Sequence, residues 1–144
     1  MKLSQITVDV AAEEDGEWRD HPHFEGVQIL VRSQESTAYQ RARRELLNAR
    51  AMKRTKLGDQ VQDAGETERK LFPFLVRGWK GIDDAEYSEE TAQLWASRKI
   101  IPEGQPNAGH EYYRAYRLFW EGVNVAALDV GAREREEKKE TLGK

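Results

Sequence analysis

Residues 75–92, LVRGWKGIDDAEYSEETA, constrain this chain more than any other stretch, because two glycines, a tryptophan and a helix start fall close together. Gly78 and Gly81 bracket Trp79, and glycine is the residue a chain uses where a helix must end with positive φ or where backbones approach closely. The expectation is therefore a helix stop, a turn plugged by Trp79, and a restart. Ser88 marks the restart, since its hydroxyl can accept from the orphan N–H groups of the turn that follows. Glu89 and Glu90 then sit at the positive end of the helix dipole. Tyr87, just before the cap, is placed to lie over Ala92 as a hydrophobic staple.

Upstream, Ile6-Thr7-Val8-Asp9-Val10 alternates apolar and polar residues with β-branched members, the pattern of a half-buried strand. Residues 13–16 read as a turn and Glu17-Trp18-Arg19-Asp20 as its return strand, stopped by His21-Pro22. Val27-Gln28-Ile29-Leu30-Val31 is a third strand. A helix follows from Ser36 to about Lys56, with Tyr39, Ala42, Leu46 and Ala49 at helical spacing, and then a polar loop over 59–66. In Leu71-Phe72-Pro73-Phe74-Leu75-Val76 the proline either begins a helix or kinks one. The helix capped by Ser88 carries Leu94 and Trp95 and should end near Ile101, before a loop at 103–107. The last helix is expected from about Ala108 to at least Val130. Tyr112, Tyr116, Phe119, Val123, Ala126, Ala127 and Val130 share one face, and Leu118, Trp120, Val125 and Leu128 make its middle apolar nearly all round. A helix apolar on every side is covered on every side, and in a chain 34% charged a second subunit or a binding partner is the simplest cover. The expected fold is α+β and mainly helical. A small antiparallel β element at 1–32 precedes about four helices within a single domain at 1–131, and a charged tail follows at 132–144.

Chemistry finds little foothold. Without cysteine there are no disulfides, thiolate zinc sites or thiol nucleophiles, which fits a reducing compartment. Asp20, His21, His23 and Glu25 are metal-ligand types, but Pro22 breaks the strand regularity that would aim both imidazoles one way, so no metal is expected. No Gly-x-Ser-x-Gly elbow, phosphate-binding loop or dinucleotide fingerprint occurs, and Asp83, Asp84 and Glu86 sit in a polar turn where nothing raises a carboxyl pKa. No catalytic residue and no cofactor is assigned. No apolar run reaches the roughly 18–20 residues that cross a bilayer, and residues 1–10 lack a signal-peptide apolar region, so an intracellular location is expected. Arg41, Arg43, Arg44, Arg50, Lys53, Arg54 and Lys56, opposed only by Glu45, make one helix face basic. That face is a candidate nucleic-acid contact, although the net charge of −3 disfavours a general nucleic-acid binder.

Taken together, Leu-Val-x-x-Trp-x-Gly-Ile-Asp-Asp at 75–84, Tyr-Ser-x-Glu at 87–90, the late aromatic helix and the Glu136-Glu137-Lys138-Lys139 end resemble the tail assembly chaperones of long-tailed bacteriophages and prophages. The match is best over 74–90. The resemblance implies a small, mostly helical, non-enzymatic protein of the bacterial cytoplasm, absent from the finished virion, that masks apolar helical segments of the tape measure protein. Candidate partner-binding residues are Trp79, Trp95, Tyr112, Tyr116, Phe119, Trp120 and Val123. The alternatives are a structural virion component, such as a tail terminator or head–tail joining protein, and a nucleic-acid-binding regulator using the Arg41, Arg43, Arg44, Arg50 and Arg54 face.

Overall fold

A computed structural model describes residues 1–51, 70–97 and 110–134, and for Arg50 and residues 110–113 it describes the backbone alone. Its order is β1 (Ile6–Val8), α1 (Val10–Asp15), β2 (Glu17–Asp20), β3 (Gln28–Val31), α2 (Thr37–Ala51), a 3-10 turn (Phe72–Phe74), β4 (Val76–Lys80), α3 (Glu89–Ala96), α4 (His110–Ala127) and β5 (Ala132–Glu134). The α+β class holds, but the strands are not confined to the N-terminus.

The first departure follows from a cap. Asp9 accepts from the Ala12 N–H at 3.1 Å, and the good helix formers Ala11, Ala12, Glu13 and Glu14 carry the chain on as α1. The expected turn at 13–16 is therefore a helix, and β1 and β2 do not form a hairpin. β1 instead pairs antiparallel with β5, with Ile6 opposite Glu134, Thr7 opposite Arg133 and Val8 opposite Ala132. The segment expected to be a charged tail from 132 contributes a strand through Glu134, and residues 135–144 lie outside the described residues.

The second departure is the 75–92 stretch. Pro73 stands at the start of a 3-10 turn, and Val76 to Lys80 then extends as β4 rather than closing a helix. β4 pairs antiparallel with β3, Trp79 facing Ile29 across the ladder and Gly78 facing Leu30, with an irregularity between Leu30 and Val31. β3 is the central strand of a three-stranded sheet, β2-β3-β4. Periodicity misleads here because five residues are too few to separate a buried strand from a helix end. The need for glycine was read correctly in kind: Gly81 has φ 90°, and a Cβ there would lie 2.1 Å from the Gly26 carbonyl oxygen. It turns the chain out of a strand, however, and not out of a helix. The Ser88 cap forms as expected, its Oγ accepting from Thr91 N–H at 2.9 Å, with Glu89 and Glu90 in the first turn of α3.

Ile29, Val31, Val76 and Trp79 from the sheet pack with Ala92 and Ala96 of α3 and with Tyr116, Phe119, Trp120, Val123, Ala126 and Ala127 of α4 in one core. α4 is not covered on every side by this chain. Leu118 is half-buried, while Val125 and Leu128 are 47% and 73% exposed. The helix ends at Ala127 rather than running to Val130, which the turn at 128–131 buries instead. Ser36 caps α2, its Oγ accepting from Tyr39 N–H at 3.3 Å and its carbonyl from Gln40 N–H at 2.9 Å. Of the stripe on α2 only Ala42 is fully buried. The expected extension of α2 toward Lys56 and the loops at 59–66 and 103–107 fall outside the described residues.

An ion cluster holds the end of the described chain to the sheet. The Arg19 guanidinium donates to Glu17 at 2.6 Å and to Asp129 at 2.7 Å. Arg133 of β5 donates to Glu17 and lies 3.5 Å from Asp9. Burial alone pushes the Glu17 carboxyl up, but hydrogen bonds from Arg133, Arg19 and the Gly131 N–H outweigh it and hold the pKa at about 2, below its ordinary 4.5. A depressed carboxyl pKa means the unfolded chain binds the proton first as pH falls, so Glu17 stabilises fully above 4.5 and loses that contribution on the way down to about 2. Urea unfolding of the wild type and Glu17→Gln across pH 6 to 2 should therefore show a stability gap that closes with acid; a constant gap would remove the linkage.

Candidate partner-binding surface

Most residues expected to bind a partner are used inside the molecule. Trp79, Tyr116, Phe119, Trp120 and Val123 are buried, and Trp95 is half-buried against them. Four of them form one aromatic cluster. Trp95 lies over Phe119 with centroids 4.3 Å apart, Trp79 meets both Trp95 and Phe119 edge-on, and Trp120 stacks on Phe72 at 5.4 Å. The Trp79 indole N–H donates to Ala85 O at 2.6 Å and the Tyr87 hydroxyl to Val76 O at 3.2 Å. Together these bonds fold residues 81–87 back over β4. Tyr87 thus contacts Trp79 at the ring edge. The Tyr116 hydroxyl donates to Ala96 O, tying α4 to the end of α3. The side chain of Tyr112 lies outside the described residues.

His21 packs into this core, and among the described residues no three metal-ligating side chains converge. It is 5% exposed and stacks on Phe119 at 5.0 Å. Its Nε2 donates to the Phe119 carbonyl at 2.9 Å, while Nδ1 accepts from the N–H groups of His23 at 3.0 Å and Phe24 at 3.3 Å. A carbonyl only accepts and a backbone N–H only donates, so this set of partners selects the neutral ring with its proton on Nε2. Burial first, and the nearby charge of His23, hold its pKa below the ordinary 6.5, against the Phe119 carbonyl, which favours the proton. Gly122 makes room for the ring: a Cβ there would meet His21 Cε1 at 2.3 Å.

On the basic face Arg41, Arg43 and Arg44 are exposed. The Arg50 side chain and all of Arg54 lie outside the described residues. The apolar side chains that do face solvent lie elsewhere. Directly paired residues share a face of an antiparallel ribbon, so Ile6 and Val8 stand with Ala132 and Glu134 on one side of β1–β5. Ile6 is 56% and Val8 53% exposed. Thr7 and Arg133 occupy the other side, where Arg133 meets the ion cluster. Trp18, on the outer face of the three-stranded sheet, lies against Gly78 and carries the Lys80 ammonium 4.2 Å from its ring centroid. The i, i+2 spacing of Ile6 and Val8 was visible in the sequence, but which face would be covered depended on a partner strand more than 120 residues away. No helix among the described residues is long and apolar enough to cross a membrane.

The chain matches no family model, no curated protein and no solved structure.

Because the folded pKa of His21 is depressed, its contribution to stability is complete above 6.5 and is lost as pH falls through the folded value. The wild type should lose stability between pH 7 and 5 in urea titrations, and His21→Gln, though less stable at pH 7, should lose less over the same range. Gly122→Ala should destabilise by about 1–3 kcal/mol by overpacking. Trp120→Ala should cost about 3–5 kcal/mol, as for a large aromatic truncated in a core; a loss under about 1 kcal/mol in denaturant titration would contradict the buried placement.

Proposed function

We propose that this protein is a phage or prophage tail assembly chaperone, which binds and masks apolar helical segments of the tape measure protein in the bacterial cytoplasm and is absent from the finished virion. The resemblance over 74–90 supplies the role. The observation that supports a binding surface is the apolar side of the β1–β5 ribbon, where Ile6 and Val8 are more than half exposed beside Ala132. Large apolar side chains grouped on one open face characterise association sites. A two-stranded ribbon also gains stability when something packs on its face. The aromatic residues of α4 serve this reading indirectly, by holding the sheet and the helices in place.

Binding here is reversible burial of apolar surface, with the exposed charges around the ribbon speeding encounter and discriminating against wrong partners. No bond is made or broken.

Co-expression with the tape measure protein should keep that protein in the soluble fraction. A double variant, Ile6→Asp with Val8→Asp, should lose this effect while retaining the wild-type far-UV circular dichroism. Equal precipitation of the tape measure protein with and without this chain would end the chaperone reading. Mass spectrometry of purified particles separates it from the structural alternative, for which the protein would be present in stoichiometric amount.

A further inference from the structure

β3 runs on into Arg32, and β4 carries Arg77. Both line one cavity with Phe74, Tyr87, Glu89 and Gln93, about 270 Å³ in volume. Three bonds fix its walls. Arg32 N–H donates to Leu75 O at 2.8 Å, the Tyr87 hydroxyl to Val76 O at 3.2 Å, and an Arg77 Nη to Asp15 O at 3.0 Å. The Nε of Arg32 is buried and has no hydrogen-bond partner among the described residues. A buried donor on a cation bears the full loss of its hydration until an acceptor arrives. Burial first, and then the like charge of Arg77, hold the Arg32 guanidinium below its ordinary pKa, with Tyr87, Glu14 and Glu89 acting in the opposite sense. Arginine nevertheless keeps its proton, so Arg32 and Arg77 bring two guanidinium charges to the lining, opposed there by Glu89.

We propose that this cavity binds a carboxylate carried beside an apolar side chain on a peptide partner. Two arginines against Glu89 leave one net positive charge on the lining, which suits a single carboxylate better than a dianionic phosphate. The planar guanidinium fork matches carboxylate geometry. Phe74, 38% exposed, offers the apolar wall that a neighbouring Leu or Phe of the partner would cover. At about 270 Å³ the space is at the small end of ligand pockets and is sized for a side-chain carboxylate with an apolar neighbour. The site uses none of the ribbon residues, and its test succeeds or fails independently of the co-expression experiment.

The Nε–Hε resonance of Arg32 in ¹⁵N-labelled full-length protein, assigned through bonds, reports on the site directly. Titration with acetyl-Leu-Glu-Phe-amide should shift that signal to saturation, and acetyl-Leu-Gln-Phe-amide should leave it nearly unmoved. Arg77→Gln, at an exposed position of β4, should weaken the Glu peptide by about tenfold to a hundredfold, the range that one charge-assisted hydrogen bond spans, with the backbone spectrum otherwise preserved. The proposal is overturned by an Arg32 signal that does not respond to millimolar Glu peptide, by an equal response to the Gln peptide, or by inorganic phosphate saturating the same signal more tightly than the peptide does.

Discussion

The packing of one face of α4 against aromatic rings from several other segments holds this molecule together. Phe119 and Trp120 stand side by side on the helix, and Phe72, Trp79, Trp95 and His21 each reach them from a different part of the chain. The arrangement leaves the Nε1 atoms of Trp95 and Trp120 buried without a partner among the described residues. Each such N–H costs roughly 1–3 kcal/mol. A tryptophan burying about 150–250 Å² of surface gains about 4–6 kcal/mol at roughly 25 cal/mol per Å², so ring burial wins even with the indole N–H unmet.

That outcome decides what is left for function. A tryptophan that fills the core is not also a surface anchor, so the surface is made of what the core does not use. Two such regions stand on opposite chemical footings. The β1–β5 ribbon presents Ile6 and Val8 to solvent, and the cavity beside β4 presents guanidinium groups with an unmet donor. Both are edges of the fold, where packing is one-sided and polar groups still seek partners.

Electrostatics closes the structure where apolar packing is thinnest. β5 is exposed at all three residues, and a two-stranded ribbon is marginal alone. Arg133 bonded to Glu17, and Arg19 bridging Glu17 to Asp129, fasten the ribbon and the preceding turn to β2. The fold therefore joins its first and last described strands by pairing and by charge, with the aromatic core lying between them in sequence.

The Ser88 cap was legible from sequence because it is local, needing only the N–H three residues on, while the Asp9 cap was missed. The positive φ of Gly81 is local too, but the approach of the Gly26 carbonyl that also excludes a side chain there is tertiary. The β3 strand and the apolar face of α4 were legible too, since burial on one side writes its period into the residues. Strand partnership was not. Whether Val76 to Lys80 ends a helix or joins a sheet depends on β3 lying beside it, some fifty residues earlier, and whether Ile6 and Val8 face inward depends on β5. The roles of Trp79, Phe119 and Trp120 were ambiguous for the same reason. Composition marks a ring as worth burying, but only the tertiary structure decides whether this chain or another one buries it.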